Sequence, residues 1–249
     1  MNSINYDARY IEFLDQLTKI NPRIRVKREG DRMVVRLFDA VHGHALSVIL
    51  SAPVSMFDMA QEKITFINFS DFYQYYKLFN STPSIDIDDQ NVYLNDPNDG
   101  SLMTYRISAN QLKKREYPNP PAAEYAYSVN IDGATLNTLA KMVAKQSSKN
   151  TEITCTSDGK VNFRVVSGNG HHSFDKPMNA TSIADGAESF ELSITSDSFD
   201  KLPFKSDNYI IHIHPKVVRF ERARSVDAEG NIDPNEIEFN QYIFKSRRV

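Results

Sequence analysis

The chain has 249 residues, 41% of them hydrophobic and 24% charged, which is room for two domains of ordinary size, each with its own core. A single cysteine, Cys155, excludes an internal disulfide framework. No signal peptide and no bilayer-length apolar run is visible, so a soluble, cytoplasmic protein with no membrane partner is expected, and a formal net charge of -3 argues against a monomer that holds nucleic acid by charge alone.

Residues 8–20 predict an amphipathic helix. Tyr10, Ile11, Leu14 and Leu17 share one face, and Arg9, Glu12, Asp15, Gln16 and Lys19 share the other; Pro22 ends it. Residues 24–28 and 32–38 predict a hairpin whose turn contains Gly30, a residue free to take a positive φ. Strands at 45–50 and 64–69, a helix at 70–79 and strands at 84–87, 91–95 and 102–108 complete a strand-rich first domain, with a turn at 95–100. Residues 111–125 carry consecutive basic residues and then prolines. Proline cannot continue a ladder and stiffens an extended path, so this stretch is the expected connector. The second domain opens with a strand at 126–131 and a helix at 133–146. In that helix Leu136, Leu139, Ala140 and Val143 face inward, while Lys141 and Lys145 lie on an opposite face that has no acid. Strands at 152–156, 161–166, 171–174 and 188–194 precede a short helix at 196–202, stopped by Pro203. Strands at 209–214 and 216–220, a polar loop at 227–234 and a strand at 237–245 finish the chain.

The two halves repeat. Ile85, Ile87, Val92 and Leu94 match Ile211, Ile213, Val218 and Phe220 at one constant offset, and Ile67 and Phe72 match Ile194 and Phe199 at an offset one residue larger. Ile24, Val26, Gly30 and Val34 likewise fall on Ile153, Cys155, Gly159 and Phe163. So long a period signals duplication of a whole α+β domain, 1–110 and 126–249 around the 111–125 connector, rather than a solenoid.

Histidines supply the main hint of chemistry. His42 and His44 are spaced to share one side of a strand, as are His212 and His214, a spacing compatible with zinc ligation; His171 and His172 are adjacent. No pattern completes such a site, and neither a phosphate loop nor a nucleophile elbow is present. No catalytic residue, metal or cofactor is therefore expected, with a histidine-metal hydrolase as the alternative. Phe72, Tyr75, Tyr76 and Phe79 cluster on one helix face and are expected in the core rather than on a base-stacking platform.

Two repeats of helix, strands, helix and strands, with HALSVIL at 44–50 and HPKVVRFE at 214–221, resemble a DNA polymerase sliding clamp. The likeness is to the trimeric clamp of T-even-type bacteriophages and, more distantly, to the proliferating cell nuclear antigen. It implies duplicated clamp domains, each with two helices packed on antiparallel sheets, and a homotrimeric ring with helices lining its hole. Such a ring is not an enzyme. It encircles double-stranded DNA, tethers the replicative DNA polymerase and is handled by a clamp loader ATPase, in the host cytoplasm if the protein is viral. Nonspecific phosphate binding, with dissociation constants of roughly 0.1 mM to 1 µM, would not keep a polymerase in place, whereas topological linkage does. A monomeric DNA-binding processivity factor of the same fold is the other alternative, disfavoured by the acidic charge. The resemblance implies DNA-facing Lys19, Lys77, Lys141, Lys145, Lys149 and Lys201. It also implies a partner-peptide pocket at Phe38, His44, Tyr117, Pro118 and Pro215. The implied subunit interface holds Leu102, Met103, Tyr105, Ile107, His171, His172 and Phe174. Glu12, Asp15, Asp197 and Asp200 predict a lining that is not uniformly basic.

Overall fold

The structure, a computed structural model, describes residues 2–41, 44–59, 62–107, 123–203, 205–225, 229, 231–233 and 236–244. The first half runs β1 (Asn2–Tyr6), α1 (Ala8–Leu17), β2 (Ile24–Glu29), β3 (Arg32–Val41), β4 (His44–Pro53), β5 (Phe57–Asp58), β6 (Lys63–Phe66), α2 (Phe69–Tyr76), β7 (Ser84–Ile87), β8 (Asn91–Asn95) and β9 (Leu102–Arg106). The second half runs β10 (Tyr127–Ile131), α3 (Gly133–Gln146), β11 (Asn150–Cys155), β12 (Lys160–Val166), β13 (Ser173–Asn179), β14 (Ser182–Ile183), β15 (Phe190–Thr195), α4 (Asp197–Asp200), β16 (Tyr209–His214), β17 (Val217–Arg222) and β18 (Glu238–Phe244).

The duplication extends to topology. In the first half β1 pairs with β5 and β7, β7 with β8, β8 with β9, and β2 with β3 and β6, all antiparallel. The second half reproduces this list: β10 pairs with β14 and β16, β16 with β17, β17 with β18, β11 with β12 and β15, and β12 with β13. The β2–β3 and β11–β12 turns both use a glycine at positive φ, Gly30 at 63° and Gly159 at 85°, a region that costs glycine nothing.

Chain contacts divide the molecule into two compact units that interleave in sequence. One comprises Met1–Leu37, Ile49–Pro118 and Arg224–Glu238, the other Phe38–Val48, Asn119–Ala223 and Phe239–Val249. In the first, α1 is capped by Asp7, whose carboxylate accepts the Arg9 N–H at 2.8 Å, and it buries Tyr10, Ile11, Leu14 and Leu17. An aromatic cluster continues this core, with Phe66 4.8 Å from Phe69 and 4.9 Å from Phe72 between ring centres. In the second, the Asp132 carboxylate caps α3 by accepting the Thr135 N–H at 2.6 Å. Leu136, Leu139 and Val143 are buried, as are Ile153, Phe163, Phe199, Ile211 and Phe220. Each such side chain contributes roughly 1.5–3 kcal/mol by leaving water. Gly133 has to be glycine, because a Cβ there would lie 2.1 Å from the Ser206 carbonyl oxygen.

Several element ends differ from expectation. α1 stops at Leu17, where the Thr18 N–H and hydroxyl both turn back to the Asp15 carbonyl and tighten the last turn. α4 is a single turn. β13 begins at Ser173, so His171 and His172 fall in the preceding turn, with their N–H groups donating to Asn169 Oδ1 and Ser167 Oγ. β1 has too few residues for a visible period, and its place beside β7 is set by pairing.

Candidate functional site

Six lysines were expected on the helix faces, and the structure separates them by what they touch. Lys141, Lys145 and Lys149 are exposed, and among the described residues their side chains make no hydrogen bond or ion pair. α3 itself holds no acid, and Asn137 and Thr138 are exposed beside the lysines. Lys145 also borders an open cleft of about 600 Å³ at the end of α3, with Met142, Gln146, Gly168 and His172. In the first unit the cations are engaged. Lys19 Nζ donates to Gln16 Oε1 at 2.8 Å, and Lys77 Nζ stands 4.7 Å from the centre of the Tyr73 ring. Asp15 sits among them. Burial pushes its carboxyl up, and Lys77 and Lys19 pull it down. Lys201 is held by Asp39 at 2.5 Å, with less than a quarter of its side chain exposed. Among the described residues, the free positive charge of the six therefore lies on α3 and on Lys149, just before β11.

Among the described residues, the predicted interface strands β9 and β13 are both terminal in their sheets. Their hydrogen-bond parity can be read from the flanking bonds. Asp96 donates to the Ser101 carbonyl at 2.9 Å and Ile107 to the Gln90 carbonyl at 2.7 Å. In the β8–β9 register, 103 and 105 therefore bond inward to β8, and Leu102, Thr104 and Arg106 present their backbone groups to the open side. For β12–β13, Ala180 donates to Gly159 and Ser167 to His172, both at 2.8 Å. The backbone groups of Ser173, Asp175, Pro177 and Asn179 accordingly face outward. Leu102 is 66% exposed, and Met103, Tyr105 and Phe174 are half-buried. Ile107 is buried within its own unit. The Tyr105 hydroxyl donates to the Asn68 carbonyl at 2.8 Å.

Other strands also end sheets, but the repeat separates them. β6 and β15 are counterparts and both are terminal, as are β5 and β14. β9 and β13 are different: their counterparts, β18 and β4, lie side by side in one sheet.

This topology is shared with known proteins. The structure of the A. fulgidus PCNA bound to the C-terminal region of FEN-1 superposes with a TM-score of 0.69 at 12% identity, covering 100% of this chain and 99% of that one. The PCNA2–PCNA3 complex of Sulfolobus tokodaii gives 0.69 at 13%, covering 98% of both chains. The proliferating cellular nuclear antigen of Entamoeba histolytica gives 0.70 at 12%, covering 97% of both. The chain has the PCNA-type sliding-clamp fold. No family model and no curated protein matches its sequence.

On this clamp fold the expected pocket residues are described only in part. Phe38 is 38% exposed at the end of β3, and Pro215 is exposed in the β16–β17 turn. His44 belongs to β4 by its backbone, whereas Tyr117 and Pro118 lie outside the described residues. Near Pro215, Tyr125 packs 5.3 Å from the His212 ring and 5.2 Å from the Arg219 guanidinium. His212 joins Ser128 Oγ at 2.9 Å and Glu221 Oε2 at 3.1 Å. Serine, histidine and carboxylate thus stand in a row, and the Glu221 carboxylate is shared with Arg219. Among the described residues no group of three or more His, Cys, Asp or Glu side chains is placed to hold a metal, and no helix is long and apolar enough to cross a membrane.

Proposed function

We propose that this chain is a sliding clamp: a homotrimeric ring that encircles duplex DNA and tethers a DNA polymerase, opened and closed by an ATP-driven loader. The observation that carries this reading is the broken repeat. β9 and β13 are open where their counterparts β18 and β4 are neighbours, so a second copy supplies what each edge lacks. A head-to-tail contact of this kind closes into a ring and removes unpaired edges. Full-length likeness to PCNA chains, one of them in a complex with another PCNA, supports self-assembly.

In this ring Lys141, Lys145 and Lys149 meet phosphates without reading bases. Their attraction is screened over a Debye length of about 8 Å at physiological ionic strength, so enclosure rather than affinity retains the DNA. Lys19, Lys77 and Lys201 contribute less, because neighbours already engage them. Exposed Phe38 and Pro215 mark the place expected to take a short hydrophobic peptide of the polymerase or loader, as the C-terminal region of FEN-1 is bound by the A. fulgidus protein.

The test is topological. Light scattering should give the mass of three chains. Clamp loaded on nicked circular DNA should survive gel filtration in high salt and be lost once the circle is cut. Equal loss from circle and line, with a one-chain mass, would replace the ring by a charge-binding monomer.

A further inference from the structure

The strand edges carry more than an invitation to pair: they specify how. We propose that Pro177 fixes the register of the joint between copies, so that Arg106 of one copy lies opposite Ser173 of the next, Thr104 opposite Asp175 and Leu102 opposite Pro177. This inference rests on the ring reading above and adds to it a residue that determines specificity.

The outward-facing groups of β9 are those of Leu102, Thr104 and Arg106, and those of β13 belong to Ser173, Asp175, Pro177 and Asn179. All the observed strand pairings of the chain are antiparallel, and we take the joint as antiparallel too. Three registers then bring outward groups together. Sliding β9 toward the turn puts Arg106 opposite His171, whose N–H is already held by Asn169 Oδ1 at 3.1 Å, so one bond is lost there. Sliding it the other way puts Thr104 opposite Pro177. Proline has no N–H, so the missing bond falls in the middle of the ladder and strands the Thr104 carbonyl between its neighbours. In the register between these, the missing bond falls at the last rung, where water reaches the Leu102 carbonyl, and that position costs less than one in the middle of the ladder.

Side chains agree with this choice. On the face away from Leu102 and Thr104, the middle register sets Tyr105 opposite Phe174 and Met103 opposite Lys176, all half-buried. An aromatic pair at a non-hydrogen-bonded position is among the favourable cross-strand contacts. Arg106 is exposed and makes no ion pair among the described residues, and here it lies diagonal to Asp175.

Disulfide trapping reads the register directly. At a non-hydrogen-bonded pair the Cα atoms stand about 4.5 Å apart, within disulfide reach; a two-residue slip moves them to about 8 Å, beyond it. The full chain carrying Met103→Cys and Lys176→Cys should oxidise to a covalent oligomer on a non-reducing gel. The Met103→Cys, Met178→Cys chain should give only a trace. Adding Pro177→Val to the second pair restores the donor in either register, but in mid-ladder only in the slipped one, and should raise its product about two- to threefold, since a bond regained in mid-ladder is worth more than one at the solvated last rung. Preferential trapping through Met178→Cys with Pro177 present would overturn the register, and a product unchanged by Pro177→Val would overturn the role of the proline. Trimer mass without either cross-link would also reject this pairing while leaving the ring intact. A one-chain mass in every variant and in the parent would instead reject the ring itself.

Discussion

Asp88, in the β7–β8 turn, shows how single side chains shape the molecule around its open edge. Its carboxylate accepts the Tyr93 hydroxyl at 2.6 Å and the backbone N–H groups of Gln90 and Asn91 at 2.7 Å. The Tyr93 bond, followed by the Gln90 N–H, holds the carboxyl down at about 2. A depressed carboxyl stabilises the fold above its ordinary value of 3.8, and that contribution disappears as pH falls through about 2. Asp88→Asn should therefore melt below the parent at neutral pH, with the gap closing on acidification; a gap independent of pH would deny the turn this role. The lysines of α3 act differently, since they hold nothing within their own unit. Replacing Lys141 and Lys145 together by glutamate should leave mass and melting within about 0.5 kcal/mol of the parent. Loading and processive synthesis should fall by roughly tenfold or more at moderate salt, where phosphate attraction is most exposed to charge reversal. Unchanged processivity across a salt series would remove α3 from the DNA-facing surface.

At the scale of elements, the decisive property is which backbone groups of a strand are spoken for. The Tyr105 N–H belongs to the β8–β9 ladder, and its hydroxyl clasps Asn68, so proline at 105 would harm the unit as well as any assembly. Thr104 is the cleaner probe. Its N–H faces the open side, and Thr104→Pro removes one donor from the joint without removing one from β8. Sedimentation should then show monomers, or a dissociation constant raised by about tenfold for a lost bond and its misfit neighbour. An unchanged assembly with intact melting would show that β9 is not the edge used. The helices show the same contrast between engaged and available groups. Arg9 and Gln16 of α1 are engaged by local partners, and among the described residues Lys141 and Lys145 of α3 are not.

At the scale of the whole molecule, the proposed ring would reconcile a mildly acidic chain with a DNA partner by separating attraction from retention. In that reading Lys141, Lys145 and Lys149 supply weak, screened guidance, and closure around the duplex does the holding. The duplicated topology makes closure accessible in that proposal, because a joint between copies would reuse the strand arrangement that places β18 beside β4. Stability of such an assembly depends on protein concentration, as it does for any oligomer.

The sequence by itself determined the repeat and the buried stripes of α1 and α3, whereas of the α2 face expected in the core, Phe72, Tyr75, Tyr76 and Phe79, only Phe72 is fully buried and Tyr75 is 44% exposed. Leu136, Leu139 and Val143, or Tyr10, Ile11, Leu14 and Leu17, announce an inward face through the helical period alone, and Gly30 and Gly159 announce their turns. Local periodicity is a property of neighbours in the chain, so it survives without a fold. Only the tertiary structure decided that Lys201 is consumed by Asp39, 162 residues away, and that Lys141 and Lys145 are left free. It alone moved His171 and His172 into a turn, started β13 at Ser173 and pointed the backbone of Thr104 and Pro177 outward. These are matters of pairing partner and hydrogen-bond parity, which strands acquire from each other: the alternation of side chains reads the same whichever edge is left open.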